Sequence, residues 1–460
     1  MKRIKIASVL IITLACFAST IMAQGNRALW SQENYIQSAK IQYKHVYLKS
    51  KLRSDLDHCI ELIREASERF PGRPELHYMM GTFYAEVSVF DTMDIYFDST
   101  QIFCDDETID EKWRKKCYKG DKLIKNMDKI RQDAWEKSFN NGVDYLAQYD
   151  TVLAWQQRAP TEDSAKALDS MKDLAFTLSK ESFETAVMVL PDSIRTYDAL
   201  AVLLQREEHH REAIEIYSKA LAIIGETPTL VSKIAYAYIY IPEWDSAIVW
   251  FEKYLQHEPK DINALINLSV DYSNVENYEK WFEYTQKVLE LQPENTQFLF
   301  NAGQYWFMKM QDAASAMPEI TDSTPDAAGK RAELEKKSKE ARENSINSFK
   351  EIIRIDPQDK DALKRLGILY LLSGQSQEAI DVLEQAVKID STDNDALEFL
   401  GRAYIQKGDT KAAIRPYEML VENDPGNIEA WGRLGELYEY NNMLDKAKEA
   451  KARAEELKKL

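Results

Sequence analysis

The chain repeats itself every 34 residues. Gly367, Gly401 and Gly435 keep that step, and so do Leu366, Leu400 and Leu434, Tyr370, Tyr404 and Tyr438, and Ala379, Ala413 and Ala447. A second block follows the same period, with Ala201, Ala235 and Ser269 in the glycine place and Ala213, Ala247 and Trp281 in the alanine place. Pro191, Pro259, Pro293, Pro357 and Pro425 close many of the units. A period of this length means one supersecondary element per unit, each able to bury its apolar stripe only against its neighbours. Leu366, Tyr370 and Leu383 recur at helical spacing, and proline stops a helix because it lacks a backbone donor. Small residues such as Gly367 and Ala379 let two antiparallel helices approach closely, and Ser373-Gly374-Gln375 and Lys407-Gly408-Asp409 place a glycine at the turn. Gly and Pro together make 28 of 460 residues, too few for the many tight turns of an all-β chain.

The pattern resembles the tetratricopeptide repeat, whose signature runs Trp-x₂-Leu-Gly-x₂-Tyr, then Ala-x₃-Phe, then Pro. The last unit carries Trp431, Leu434, Gly435, Tyr438 and Ala447, and the unit at 228–261 carries Ile234, Ala235, Tyr238, Ala247, Phe251 and Pro259. The resemblance covers roughly residues 40–460. It implies an all-α fold, a right-handed superhelical solenoid of antiparallel helix pairs. Clean units fall at 194–227, 228–261, 262–295, 360–393, 394–427 and 428–460. Residues 135–193 and 296–359 exceed the period by 25 and 30 residues. In 74–134, His77, Gly81 and Tyr84 fit a first helix, and no second helix keeps register. Residues 40–73 fit through Cys59, Ala66 and Pro71. The organisation expected is a leader over 1–23, a divergent helical region over 24–193, a repeat array over 194–310, an insertion over 311–344, and a second array with a polar capping helix over 345–460.

Met1-Lys2-Arg3-Ile4-Lys5 followed by the mostly apolar run 6–17 and Ser19-Thr20-Ile21-Met22-Ala23 has the form of a cleaved export signal. The run is short for a membrane span, which takes about 20 residues. Cleavage before Gln24 leaves 56 basic and 76 acidic residues, a net charge of −20, and places the mature chain in the periplasm. The competing form is a lipoprotein anchored through Cys16, but Thr13 and Leu14 stand where Leu and a small residue usually precede the cysteine. An acidic body repels nucleic acid and anionic lipid. Of Cys59, Cys104 and Cys117, the last two flank an acidic stretch and are the candidate pair.

Signatures of chemistry are missing from the sequence. No phosphate-binding glycine loop, nucleophile elbow, His-Glu-x-x-His or Cys-x-x-Cys occurs. His209-His210 falls at a turn between helices. Asp91, Asp94, Asp98, Asp105, Asp106 and Glu107 lack the alternating ligands and central glycine of a calcium loop and read as a solvated acidic loop. The run Ala332–Glu343 mixes charges at helical spacing, as an exposed helix does. No cofactor, no metal and no catalysis are expected.

The family resemblance implies that first helices line a concave groove through positions 2, 5, 9, 12 and 13 of each unit. Those positions hold Tyr236, Ile239 and Tyr240, then Ile266, Val270, Ser273 and Asn274, then Phe300, Gln304, Phe307 and Met308, then Ile368, Leu371 and Leu372. An apolar, aromatic strip of this kind should be covered, by a partner's helix or extended peptide or by neighbouring helices and the 311–340 insertion. Some relatives grip a C-terminal carboxylate with Lys at position 5 and Asn at position 9. No unit has both here. The reading is a non-catalytic interaction scaffold of a bacterial cell envelope with a protein or peptide partner. Its competitors are an assembly factor for outer-membrane or secretion machinery, a polysaccharide-binding protein using Trp306 and the tyrosines, and an enzyme concealed in residues 86–134.

Overall fold

The computed structural model describes residues 31–119, 122–158, 161–317 and 325–459. The export segment with Cys16 lies outside these residues, as do 318–324 of the insertion. Among the described residues every regular element is helical and none is long and apolar enough to cross a membrane. The chain divides into two compact units at Ala237/Tyr238, and each is a helical solenoid.

In the first unit, α1 (Gln32–Gln42) continues through a π-helical turn at Tyr43–Tyr47 and packs on α2 (Arg53–Arg69). Next come the pair α3 (Pro74–Glu86) and α4 (Phe90–Asp105), the short α5 (Glu111–Tyr118), the long pair α6 (Leu123–Gln156) and α7 (Glu162–Val189), and the pair α8 (Ile194–Arg206) and α9 (His210–Ile224). The unit ends with α10 (Pro228–Ala237), packed on α9. The second unit opens on a 3₁₀ turn at Tyr238–Tyr240 and continues as α11 (Trp244–His257), α12 (Ile262–Asn274) and α13 (Tyr278–Leu291). The long pair α14 (Thr296–Ala316) and α15 (Pro325–Ile355) follows, then α16 (Lys360–Leu372) with α17 (Ser376–Ile389), α18 (Asn394–Lys407) with α19 (Thr410–Asn423), and α20 (Ile428–Tyr440) with α21 (Leu444–Leu457).

One contact sets the geometry of each pair. The side chain 16 residues after the small residue of the first helix lies directly on that residue's Cα. A methyl group at Gly367 would come within 2.4 Å of Leu383 Cγ, and one at Gly401 within 2.5 Å of Tyr417. Gly81 meets Phe97 in the same way, at 2.4 Å, so α4 does keep register with α3. Sequence spacing missed it because Met93 occupies the alanine place and no proline closes the unit. In the long pairs Gly142 meets Phe183 and Gly303 meets Phe349. These steps of 41 and 46 residues equal 16 plus the insertions of 25 and 30, so the extra residues lie wholly beyond the contact. Both long pairs add the same bond: Ser179 Oγ donates to the Gly142 carbonyl and Ser345 Oγ to the Gly303 carbonyl, each at 2.8 Å.

Successive units are tied by a tyrosine ladder. Tyr272 donates to Glu252 (2.6 Å), Tyr404 to Glu384 and Tyr438 to Glu418 (2.7 Å), each carboxylate standing 20 residues earlier. Burial, then the carboxylate, pushes the Tyr404 hydroxyl up to about 12. Helix starts repeat as well. Asp261, Asn295, Asp359, Asp393 and Asn427 each accept the backbone N–H three residues on, which satisfies one orphan donor of the first turn.

Two glycine substitutions separate the contact from helix propensity. Gly367→Ala should destabilise the protein by about 1–3 kcal/mol, because Leu383 must leave its site. Gly432→Ala, also in a helix but with nothing within 4 Å of its added carbon, should stabilise by about 0.5–1 kcal/mol. Urea unfolding of both variants checks the opposite signs.

Candidate partner-binding site

The residues of the groove strip come to different depths. Tyr236 is half-buried and belongs to the first unit. Ile239 and Tyr240, 42% and 60% exposed, are not on a helix face as position counting implies. They lie in the 3₁₀ turn, because Pro242 disfavours helix at Ile241 and the aromatic and β-branched run Tyr238–Ile241 holds helix weakly. On α14, Phe300 is half-buried and meets Phe349 edge to face (5.3 Å, 80°), and Phe307 packs against the same core as Leu366 and Tyr370. Met308 is half-buried. Gln304 is half-buried too, its Oε1 shielded from solvent without a hydrogen-bond partner. On α16, Ile368 is half-buried and Leu371 packs on the core, while Leu372 is 54% exposed. Val270 on α12 is half exposed. Phe300, Phe307 and Leu371 thus serve the core as well as the surface, and Ile239, Tyr240, Val270 and Leu372 supply the open apolar area.

A cavity of about 440 Å³ lies between α14 and α15. Position counting did not indicate it, because seven of its ten lining residues come from the 311–344 insertion. Its aromatic wall is built on α14. Tyr305 stacks flat on Phe282 (4.0 Å, 4°), and Trp306 stands edge-on to both rings, at 5.1 Å from Phe282 and 5.3 Å from Tyr305. Tyr305 donates to Glu279 Oε2 at 2.6 Å, and Lys309 pairs with the other oxygen at 2.5 Å. Lys309, then Tyr305, holds the Glu279 carboxyl below its ordinary range. From α15 come Leu334, Ala341, Lys337, Glu340 and Asn344. The result is an apolar hollow with two lysines and two acids, Asp312 and Glu340, around it. It suits a large apolar side chain whose flanking backbone is polar. Residues 311–316 continue α14 and residues 325–344 open α15, so the insertion builds this cavity.

Elsewhere the sequence-singled groups are engaged structurally. Cys104 and Cys117 form a disulfide joining α4 to α5, leaving Cys59 buried and free. Asp91, Asp94, Asp98 and Asp105 belong to α4 rather than to a loop. Lys364, at a clamp position in some relatives, is bonded to Asp393 at 2.7 Å. Among the described residues no group of three His, Cys, Asp or Glu side chains is placed to hold a metal ion.

Models described as tetratricopeptide repeat match residues 336–403 and 394–437. Residues 336–437 of this chain are tetratricopeptide repeats. The solved structures it is similar to include MamA (21% identity, 43% of this chain and 92% of that one, TM-score 0.34). Another is YrrB, described as a TPR protein with an unusual peptide-binding site (21%, 45% and 91%, 0.35). A third is the C-terminal part of a TPR repeat-containing protein from Cytophaga hutchinsonii (18%, 56% and 95%, 0.40). No curated protein matches the sequence.

One residue breaks the 34-residue pattern near Val270. Asp271 occupies the place held in other units by the buried Leu203, Tyr305, Leu369, Ala403 and Leu437. It is 6% exposed, its Oδ2 lacks a hydrogen-bond partner, and burial pushes its carboxyl up to about 7. Ser269 and Thr285, also buried, share a hydroxyl contact at 3.3 Å nearby in the same helix pair, where Trp281 returns the bulk that Thr285 lacks. Between pH about 4 and 7 the folded chain holds a proton that the unfolded chain releases, so this group lowers stability as pH rises through that window. Asp271→Asn should raise stability by on the order of 2 kcal/mol at pH 8 and by little at pH 4. Thermal melts of both proteins across that range check the convergence.

Proposed function

We propose that this protein is a non-catalytic scaffold of a bacterial cell envelope that holds a segment of a partner protein in its second unit, with a large apolar or aromatic side chain of that segment seated between α14 and α15. The observation that carries the reading is the cavity walled by Tyr305, Trp306 and Ala341. Burying an apolar anchor there removes about 25 cal/mol per Å² of surface from water. Lys309, Lys337, Asp312 and Glu340 offer bonds of both signs to the peptide around the anchor. Ile239, Tyr240, Val270 and Leu372 extend the apolar surface available in this unit.

Two features support an exported location. The opening residues have the three-part form of an export signal, and the Cys104–Cys117 disulfide is a bond that persists in oxidising compartments and is rare in the cytosol. Absence of catalysis is part of the proposal. The charged groups of the cavity are ion-paired or exposed, and the Tyr305 hydroxyl is held by a Glu279 carboxylate that Lys309 already neutralises.

The test is capture with mature chain 24–460 from a detergent-solubilised envelope extract, followed by binding of the recovered partner to Asn344→Trp and Leu372→Asp. Both residues are exposed, so each variant should fold, as circular dichroism would show. Asn344→Trp blocks the cavity mouth and should weaken binding about tenfold or more. A partner held equally by wild type and both variants would place recognition elsewhere.

A further inference from the structure

The first unit has a cleft of about 740 Å³ between the exposed face of α4, the start of α6, and the C-terminal ends of α7 and α9. Its floor is apolar and open. Ile95 is 64% exposed, Met188 50% and Ile223 55%, one from each of three helices, with Pro191 beside them. The α4 face explains how apolar residues come to be there. Its buried stripe runs Phe90, Met93, Phe97, Thr100 and Cys104, and the opposite stripe runs Asp91, Ile95, Asp98, Ile102 and Asp105. Two residues of each seven therefore face solvent, yet Ile95 and Ile102 are isoleucines where water would favour polar side chains.

The charge around this floor has one sign. Asp91, Asp94, Asp98, Asp128 and Asp192 line the cleft with a single cation, Arg131. That cation is already spent: its Nε donates to Asp94 at 2.8 Å and its Nη2 to Asp98 at 2.6 Å, with the guanidinium 5.5 Å from the Phe97 ring centroid. The aspartates form a rim, and no three of them are placed to hold a metal ion. An apolar floor inside an acidic rim is complementary to one kind of surface, an apolar stripe flanked by lysine or arginine.

We infer that this cleft docks a basic amphipathic helix of a partner protein, whose apolar residues at one-turn spacing meet Ile95, Met188 and Ile223 while its cations meet Asp91, Asp128 and Asp192. The site stands in the first unit and does not depend on the cavity between α14 and α15. Apolar contact supplies the affinity that persists in salt, and the aspartates orient the helix and speed its approach. An acidic or neutral helix meets the same floor against uncompensated carboxylates.

The probe is a synthetic helix-forming peptide of about four turns, with leucines on one face and lysines elsewhere. A twin carries glutamate for lysine, and a third peptide has the same composition scrambled. Fluorescence anisotropy with mature chain 24–460 should show the basic amphipathic peptide binding about tenfold or more tighter than the scrambled one, and the acidic twin not binding. Ile95→Ser with Ile223→Ser keeps every charge and should abolish that advantage over the scrambled peptide. Asp91→Asn with Asp128→Asn and Asp192→Asn should weaken binding and flatten its dependence on salt between about 50 and 500 mM. All these side chains are exposed, so unchanged melting curves are expected. Equal binding of amphipathic and scrambled peptides, or no effect of the serine pair, would show general attraction to an acidic protein and overturn the assignment. Displacement of the peptide by millimolar calcium with no response to magnesium would overturn it in favour of a cation site.

Discussion

Everything in both units hangs on how closely two antiparallel helices approach. The approach is set by one small residue and one side chain 16 positions later, as in Gly367 with Leu383 and Gly401 with Tyr417. Without a Cβ, the first helix admits a ring or isobutyl group down to its own backbone, and the dispersion attraction between them falls steeply with any added gap. Once that distance is fixed, the remaining positions follow. Leu366 and Tyr370 share a core with Phe349 and Ile352 of the preceding pair, the tyrosine hydroxyls reach carboxylates 20 residues back, and the Asx caps fall in the turns between pairs. Glycine costs helix propensity of about 1 kcal/mol, so its recurrence at this place records a packing requirement.

The same contact explains how the chain tolerates insertions. In α6/α7 and α14/α15 the added residues fall beyond the contact, extending both helices while Gly142–Phe183 and Gly303–Phe349 hold the usual spacing. The alanine place, which normally presses on the first helix, holds Ser179 and Ser345 in these pairs. Each hydroxyl bonds to the glycine carbonyl, giving a longer hairpin a polar anchor where a methyl group suffices in a short one.

Most of the fold is legible in the sequence because the contact leaves a fixed signature of glycine, alanine and tyrosine at constant offsets. What escapes is informative. The α3/α4 pair obeys the contact through Gly81 and Phe97, but Met93 and the missing proline disguise it. The Asx caps recur as plainly as the glycines, yet Asp and Asn are interchangeable there and so hide from identity counting. The candidate site is less legible. A position number specifies which way a side chain leaves its helix, and depth depends on what stands opposite: Phe300 faces Phe349 of an elongated helix and goes under, while Leu372 at a helix end remains open.

Both clefts take part of their lining from outside the 34-residue register. The cavity of the second unit joins Tyr305 and Trp306 to residues of the 311–344 extension, and the cleft of the first joins α4 to Asp128 and Arg131, on the part of α6 that precedes its repeat. A strictly periodic stack gives every interior position an equivalent neighbour, so its apolar faces are consumed in pairs and little is left to recognise anything else. Where the chain departs from the period, a helix continues without an equivalent opposite it, and its side chains meet neighbours that the repeat does not match to them. Long α15 beside α14 leaves a hollow for this reason, and so does the start of α6 beside α4. The repeat provides rigidity, and the interruptions decide what surface that rigidity presents.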